Sequence, residues 1–291
     1  MILFIIKSIE VIVIKTYYIE KMDKHILPIY KVKIEQDNCK IYLNLEKGKN
    51  IRKVINKLIN NEATNVVLSK ELFENKDLIN ALNANNIKVF DGRWLEKYIS
   101  FEILDYVIEQ KGLKKQETEI AITTNEITDL SIEIIKVLAK QYKRVTVVTN
   151  YINKLRKIEK EIYEKNGILI VVSNNQRKSL LKPQIILNLD FNKDVFNRYK
   201  INENALIINL EGDMKILTKR FNGININDYE IEVGKEENIW RENMKNFKNK
   251  DLLEAVLYMK DTFQNIRSKI AQNKVSIKEV FGINGKIERF S

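Results

Sequence analysis

Ile120-Ala121-Ile122-Thr123, Arg144-Val145-Thr146-Val147-Val148-Thr149 and Ile168-Leu169-Ile170-Val171-Val172 are three short apolar runs separated by two stretches of helical periodicity. Two further runs follow, Gln184-Ile185-Ile186-Leu187-Asn188 and Ala205-Leu206-Ile207-Ile208-Asn209. Runs this short and this continuously apolar fit strands buried on both faces, as in a parallel sheet flanked by helices. The intervening helices are predicted from Asp129 to Tyr142, with Thr128 or Asp129 as N-cap, and from Tyr151 to Asn166, stopped by Gly167. Strand–helix–strand repetition of this kind implies right-handed parallel crossovers.

Upstream, the alternation in Ile29-Tyr30-Lys31-Val32-Lys33-Ile34, turn chemistry at Asp37-Asn38 and the resumption at Ile41-Tyr42-Leu43 predict a hairpin. A helix over about 50–60, a strand at 65–69, a helix to about Ala84 and a strand at 87–91 complete a small α/β domain. A long helix from about Arg93 to Gln110, rich in aromatic and aliphatic residues and ending near Gly112, is read as the connection to the next domain. The expected organisation is therefore a small α/β domain over 1–112, a parallel-sheet domain over 113–235 and a helical C-terminal extension over 236–291. Within it, Lys215-Ile216-Leu217-Thr218 and 224–233 flank Asn222-Gly223, which reads as a hairpin turn. Leu252, Val256, Met259, Phe263, Ile266 and Ile270 form one apolar helical stripe, suited to self-packing or to a homo-oligomer or protein partner.

Composition limits the chemistry. The chain of 291 residues has one cysteine, Cys39, and one histidine, His25, which excludes a disulfide framework and a Cys/His zinc cluster. The net charge of +11 invites a nucleic-acid reading, but only ten of the 50 basic residues are arginine. The lysines alternate with acids, as in Lys154-Leu155-Arg156-Lys157-Ile158-Glu159-Lys160-Glu161, so the charge reads as lysine-rich composition and not as a binding patch. The N-terminal Met1-Ile2-Leu3-Phe4-Ile5-Ile6 run is interrupted by Lys7, Glu10 and Lys15, too soon for a membrane span. It reads as a strand through Ile14, with Met22 as an alternative start, and the chain is expected to be cytoplasmic.

The strand–helix pattern over about 117–212, with Thr149-Asn150 closing the second strand and Lys182-Pro183-Gln184-Ile185-Ile186-Leu187-Asn188 forming the fourth, resembles the Rossmann-like nucleotide-binding domain of the shikimate dehydrogenase and glutamyl-tRNA reductase group. Asn150 and Asn188 match places where that group carries asparagine, and the resemblance implies an NAD(P) site. The first turn departs from it. Thr123-Thr124-Asn125-Glu126-Ile127-Thr128 contains no glycine, whereas a dinucleotide site needs bare backbone there to meet the pyrophosphate. Glu126 adds a repelling charge, and Tyr151 stands where the group often has arginine. Separately, Val66-Val67-Leu68-Ser69-Lys70, Asp91-Gly92-Arg93-Trp94-Leu95 and Lys219-Arg220-Phe221-Asn222-Gly223-Ile224 are similar to an uncharacterised family of clostridial-type bacterial proteins, a likeness that implies no activity.

The expected ligand-binding residues, at the carboxyl ends of the central strands, are Thr123, Thr124, Asn125, Thr149, Asn150, Asn174, Asn188 and Asp190. Asn174 opens the polar stretch Asn174-Asn175-Gln176-Arg177-Lys178-Ser179. Asp91 and Arg93 form a second candidate, with a plain turn as the competing reading. No catalytic or metal-binding set is recognisable. The sequence thus points to a non-catalytic or diverged binding or regulatory module that takes no cofactor. An NAD(P)-dependent dehydrogenase-like enzyme and a nucleic-acid-associated basic protein are the alternatives.

Overall fold

The computed structural model describes residues 16–21, 30–35, 38–43, 48–234, 244–258 and 261–290. The expected strand through Ile14, the Met22 start, His25 and Asp37 lie outside them. In chain order the elements are β1 (Thr16–Lys21), β2 (Tyr30–Glu35), β3 (Asn38–Leu43), α1 (Gly48–Asn60), β4 (Asn65–Leu68), α2 (Lys76–Ala84), β5 (Lys88–Phe90) and α3 (Arg93–Gln110). They continue with β6 (Glu119–Thr123), α4 (Asp129–Gln141), β7 (Arg144–Val148), α5 (Ile152–Asn166), β8 (Ile170–Ser173), β9 (Ile185–Asn188) and α6 (Lys193–Phe196). The last are β10 (Leu206–Asn209), β11 (Ile224–Ile226), β12 (Asp228–Glu232), α7 (Asn249–Leu257), α8 (Phe263–Gln272), β13 (Ser276–Gly282) and β14 (Gly285–Lys286).

The chain forms two compact units. One holds the described residues up to Asp91 together with those of 244–256, and the other holds Gly92–234, 257–258 and 261–290. In the first, a sheet ordered β2-β3-β1-β4-β5 is parallel except for β2, whose antiparallel register with β3 from Tyr30↔Leu43 to Glu35↔Asn38 is the hairpin read from the sequence. Tyr17, Ile19, Ile41, Leu58, Val66 and Leu68 pack in its core. The segment that leads into α7 is tied to this sheet: Lys70 N donates to Asn246 O at 2.9 Å, and Phe247 meets Tyr18 edge to face at 6.0 Å.

In the second unit β11-β10-β9-β6-β7-β8 is a wholly parallel six-stranded sheet. Counted from β6 along the chain, its spatial order reads 3-2-1-4-5-6 from β8, the Rossmann order, with the topological switch between β6 and β9. α4 and α5 pack against β7 and β8. On the other face Ala121, Val148, Ile186 and Ile207 are covered by Leu180, Phe191, Phe196, Tyr199 and Ile201. These residues come from irregular chain and the single-turn α6, and residues 174–184 connect β8 to β9 without a helix.

Three expectations are corrected. α3, expected to close the first domain as its connecting helix, instead belongs to the second unit, because apolar residues circle it: Leu95, Tyr98, Ile99, Ile103, Leu104 and Val107 are all buried, and it packs on α8 and β13. Asn222-Gly223 makes no hairpin. β11 runs parallel to β10 and β12 pairs antiparallel with β13, while residues 215–218 form no strand. The glycine serves close approach there, since a Cβ at Gly223 would lie 2.0 Å from Ala205 O. The C-terminal stripe is broken into α7 and α8, with Thr262 capping α8, and the chain ends in β13 and β14 and not in helix. Met259 of that stripe lies outside the described residues.

Asp251 in α7 is fully buried, and neither carboxyl oxygen has a hydrogen-bond partner among the described residues. Burial raises its pKa from the ordinary 3.8 to about 8, against the pull of Lys250 and Lys248 and with Asp91 and Glu254 adding to the rise. Between those values the folded chain keeps a proton that the unfolded chain releases, so this group makes stability fall as pH rises from about 4 to about 8. Asp251→Asn, which cannot ionise, is expected to shrink the difference in urea midpoint measured at about pH 5 and about pH 8.

Candidate functional site

The site lies at the carboxyl ends of β6, β9 and β10, where the turn from β6 into α4 meets the loops after the other two strands. In-register parallel pairing sets Thr123 beside Asn188 and Asn188 beside Asn209. All three side chains are buried and must find partners inside. Thr123 Oγ1 donates to Asn188 Oδ1 at 2.5 Å, and Asn188 Nδ2 donates to Asn209 Oδ1 at 2.7 Å. Asn209 Nδ2 donates in turn to Asn227 Oδ1 at 3.0 Å, just beyond β11. Asn188 also closes its own loop, accepting from Phe191 N at 3.0 Å and donating to Phe191 O at 2.8 Å. A polar ladder thus crosses the sheet at one level, its groups bonded to one another.

One step farther out, Asp190 enters the turn after β6. Its carboxylate accepts from Thr124 Oγ1 at 2.5 Å, from Asn125 N at 2.6 Å and from Glu126 N at 2.9 Å. Charge-assisted bonds to backbone amides just ahead of a helix are favourable for an anion, the same physics by which such turns hold phosphate. α4 caps itself: Ser131 N donates to Thr128 Oγ1 at 3.2 Å and Thr128 N to Ser131 Oγ at 2.9 Å. Asn125 Oδ1 accepts from Asn150 N at 2.9 Å, which fastens the turn to the end of β7.

The rim is charged. Lys97 Nζ lies 3.5 Å from Glu126 Oε2. Desolvation raises the Glu211 pKa, and Asp190 and Glu126 add to that while Lys97 and Arg93 oppose it. Gly212, at φ +68°, carries the chain past Arg93 where a Cβ would come within 3.1 Å of the guanidinium. Among the described residues no group of three or more His, Cys, Asp or Glu is placed to hold a metal ion, and no helix is long and apolar enough to cross a membrane.

Of the expected site residues, Thr123, Thr124, Asn125, Asn188 and Asp190 meet at the switch point, with Thr149 and Asn150 beside them. Thr149 is buried and accepts from Tyr151 N at 3.1 Å. Asn174 is not brought in. It is exposed beyond β8, and β7 stands between that strand and β6. The stretch after it folds on itself, with Arg177 N donating to Asn175 Oδ1 at 3.0 Å and Ser173 Oγ 2.7 Å from Ser179 Oγ. Asp91 and Arg93 fall in different compact units, and Arg93 belongs with Lys97 on the rim. Asn209, Glu211, Asn227 and Lys97 were not anticipated. The signal for two of them is a repeat: Ile186-Leu187-Asn188-Leu189-Asp190 and Ile207-Ile208-Asn209-Leu210-Glu211 are the same pattern on adjacent, in-register strands.

No family model and no curated protein matches the chain. Among solved structures it is similar to D-mandelate dehydrogenase from Rhodotorula graminis, at 8% identity over 70% of this chain and 76% of that one, with a TM-score of 0.38. It is also similar to shikimate 5-dehydrogenase from Listeria monocytogenes, at 11% identity over 64% and 75%, TM-score 0.32. Ornithine carbamoyltransferase from Pyrococcus furiosus matches at 13% identity over 67% and 71%, TM-score 0.27. The Rossmann-like character of the sheet rests on its strand order and not on these scores.

Asn188→Ala takes away the buried acceptor of Thr123, the donor to Asn209 Oδ1 and both side-chain bonds to the Phe191 backbone. It is expected to lower the free energy of unfolding by about 2–4 kcal/mol in urea titrations, where an exposed Asn174→Ala changes it by less than about 0.5 kcal/mol.

Proposed function

We propose that the chain is a non-catalytic binding or regulatory module built on a Rossmann-like sheet, and not an NAD(P)-dependent oxidoreductase. The observation that carries this reading is the Asp190 carboxylate, which accepts from Thr124 Oγ1 and the Asn125 and Glu126 amides. In a dinucleotide-binding fold, backbone donors at this turn face the pyrophosphate. Here a side chain of the protein already supplies the anion. The carboxylates of Glu126 and Glu211 on the same rim would repel a second one.

The Thr123–Asn188–Asn209 ladder supports the same reading. Its groups satisfy one another, so none of Thr123, Asn188 and Asn209 is left free to act as a general acid, general base or nucleophile. Against nucleic-acid association, lysines on the α5 surface pair within their own helix, Lys160 with Glu164 at 3.6 Å and Lys165 with Glu161 at 3.9 Å. Such interleaving dilutes the excess charge that phosphate binding would use.

Titration of the purified chain with NADPH, followed by nicotinamide fluorescence, is expected to give no saturable change up to near-millimolar cofactor. Saturable micromolar binding would restore the oxidoreductase reading.

A further inference from the structure

The two edges of the six-stranded sheet are treated differently. At β11 the chain covers its own edge: β13 packs beside it, so close that a Cβ at Gly282 would lie 3.0 Å from Asn225 O. At β8, the other end of the order, no further strand follows among the described residues. Open edges in monomeric proteins are ordinarily blunted by lysine, proline or a bulge, because their unpaired N–H and C=O groups recruit other strands. β8, Ile170–Ser173, contains neither a charge nor a proline, and neither does the Gly167-Ile168-Leu169 segment that leads into it. The stretch is also apolar on the outside, with Leu169 76% and Val171 47% exposed. The cause is the missing helix between β8 and β9: α5 packs on β8 and Ile170 is buried, but residues 174–184 lay no helix over the opposite face.

We propose that β8 is a self-association edge, at which a second copy of this chain pairs antiparallel about a two-fold axis at Ile170 and joins two six-stranded sheets into one. The hydrogen-bond phase fits. Ser173 O accepts from Thr149 N, so Ser173 and, by alternation, Val171 turn their backbone groups toward β7. Ile170 and Val172 therefore turn theirs outward, and Ile170 of each copy exchanges both backbone bonds with its counterpart. Side chains opposite each other in an antiparallel pair share a face. An axis at Ile170 sets Leu169 of each copy against Val171 of the other, in the non-hydrogen-bonded positions where side chains approach most closely. An axis at Val171 or Val172 leaves Leu169 facing Ser173 or a residue beyond it, and one at Leu169 sets Val171 against Gly167. Only the Ile170 axis covers both exposed side chains with apolar partners. That self-complementarity is what an isologous contact requires, and it selects a second copy over an unrelated partner. A strand this short buries a modest area, in the size class of weak and transient contacts.

Sedimentation equilibrium of the full chain is expected to show a mass rising with concentration from one chain to two. Leu169→Lys combined with Val171→Lys should hold it at one chain at every concentration with unchanged far-ultraviolet dichroism, since both positions are exposed. As an independent reading, Leu169→Cys with Val171→Cys in a Cys39→Ser background should cross-link into a covalent dimer under mild oxidant. Opposed Cα atoms at non-hydrogen-bonded positions lie about 4.5 Å apart, within disulfide reach. A chain that stays monomeric throughout, a dimer that persists in the lysine variant, or failure of the cysteine variant to cross-link overturns the proposal.

Discussion

The Asp190 carboxylate joins two strand ends that are distant in sequence. It leaves the loop after β9 and accepts from the Thr124 hydroxyl and from the Asn125 and Glu126 amides of the turn after β6. Those strands are neighbours only because the sheet reverses its winding between them, so the contact sits at the switch point where open α/β folds place their ligands. An anion is favourable at this turn whether it comes from outside or from the chain itself. Supplying it internally spares the turn the glycines that a bulky phosphate would demand, and Thr124, Asn125 and Glu126 occupy their places.

Behind that contact the Thr123–Asn188–Asn209–Asn227 ladder fixes the heights at which four strands end. Buried amides are costly when unpaired and specifying when paired, so each member holds its neighbour in register. Above the ladder lies the charged rim of Glu126, Glu211, Lys97 and Arg93.

The parallel sheet was legible because its strands are nearly continuous apolar runs with helical periods between them, and β6, β7, β9 and β10 fall within the quoted stretches to about a residue. Local signals failed where tertiary context decided. Asn222-Gly223 has the composition of a hairpin turn, yet its glycine answers to the Ala205 carbonyl and β11 pairs forward with β10. An apolar stripe through α7 and α8 masked the break at Asp261-Thr262, and β13, which follows the end of that stripe, was absorbed into the expected helical tail. At the site, the strand-end polar residues were legible by position. The use of Asp190 as an acceptor was not, since nothing in one strand's sequence states which turn its carboxylate will meet.

The most direct test of this account is the amide spectrum of the turn. In the wild-type chain the Asn125 and Glu126 amide protons should resonate downfield and exchange slowly, and in Asp190→Ala both should move upfield and exchange faster while α4 amides from Ile134 onward hold their shifts. Amides at 125 and 126 that exchange freely and are indifferent to the loss of Asp190 would contradict the internal anion on which the whole description stands.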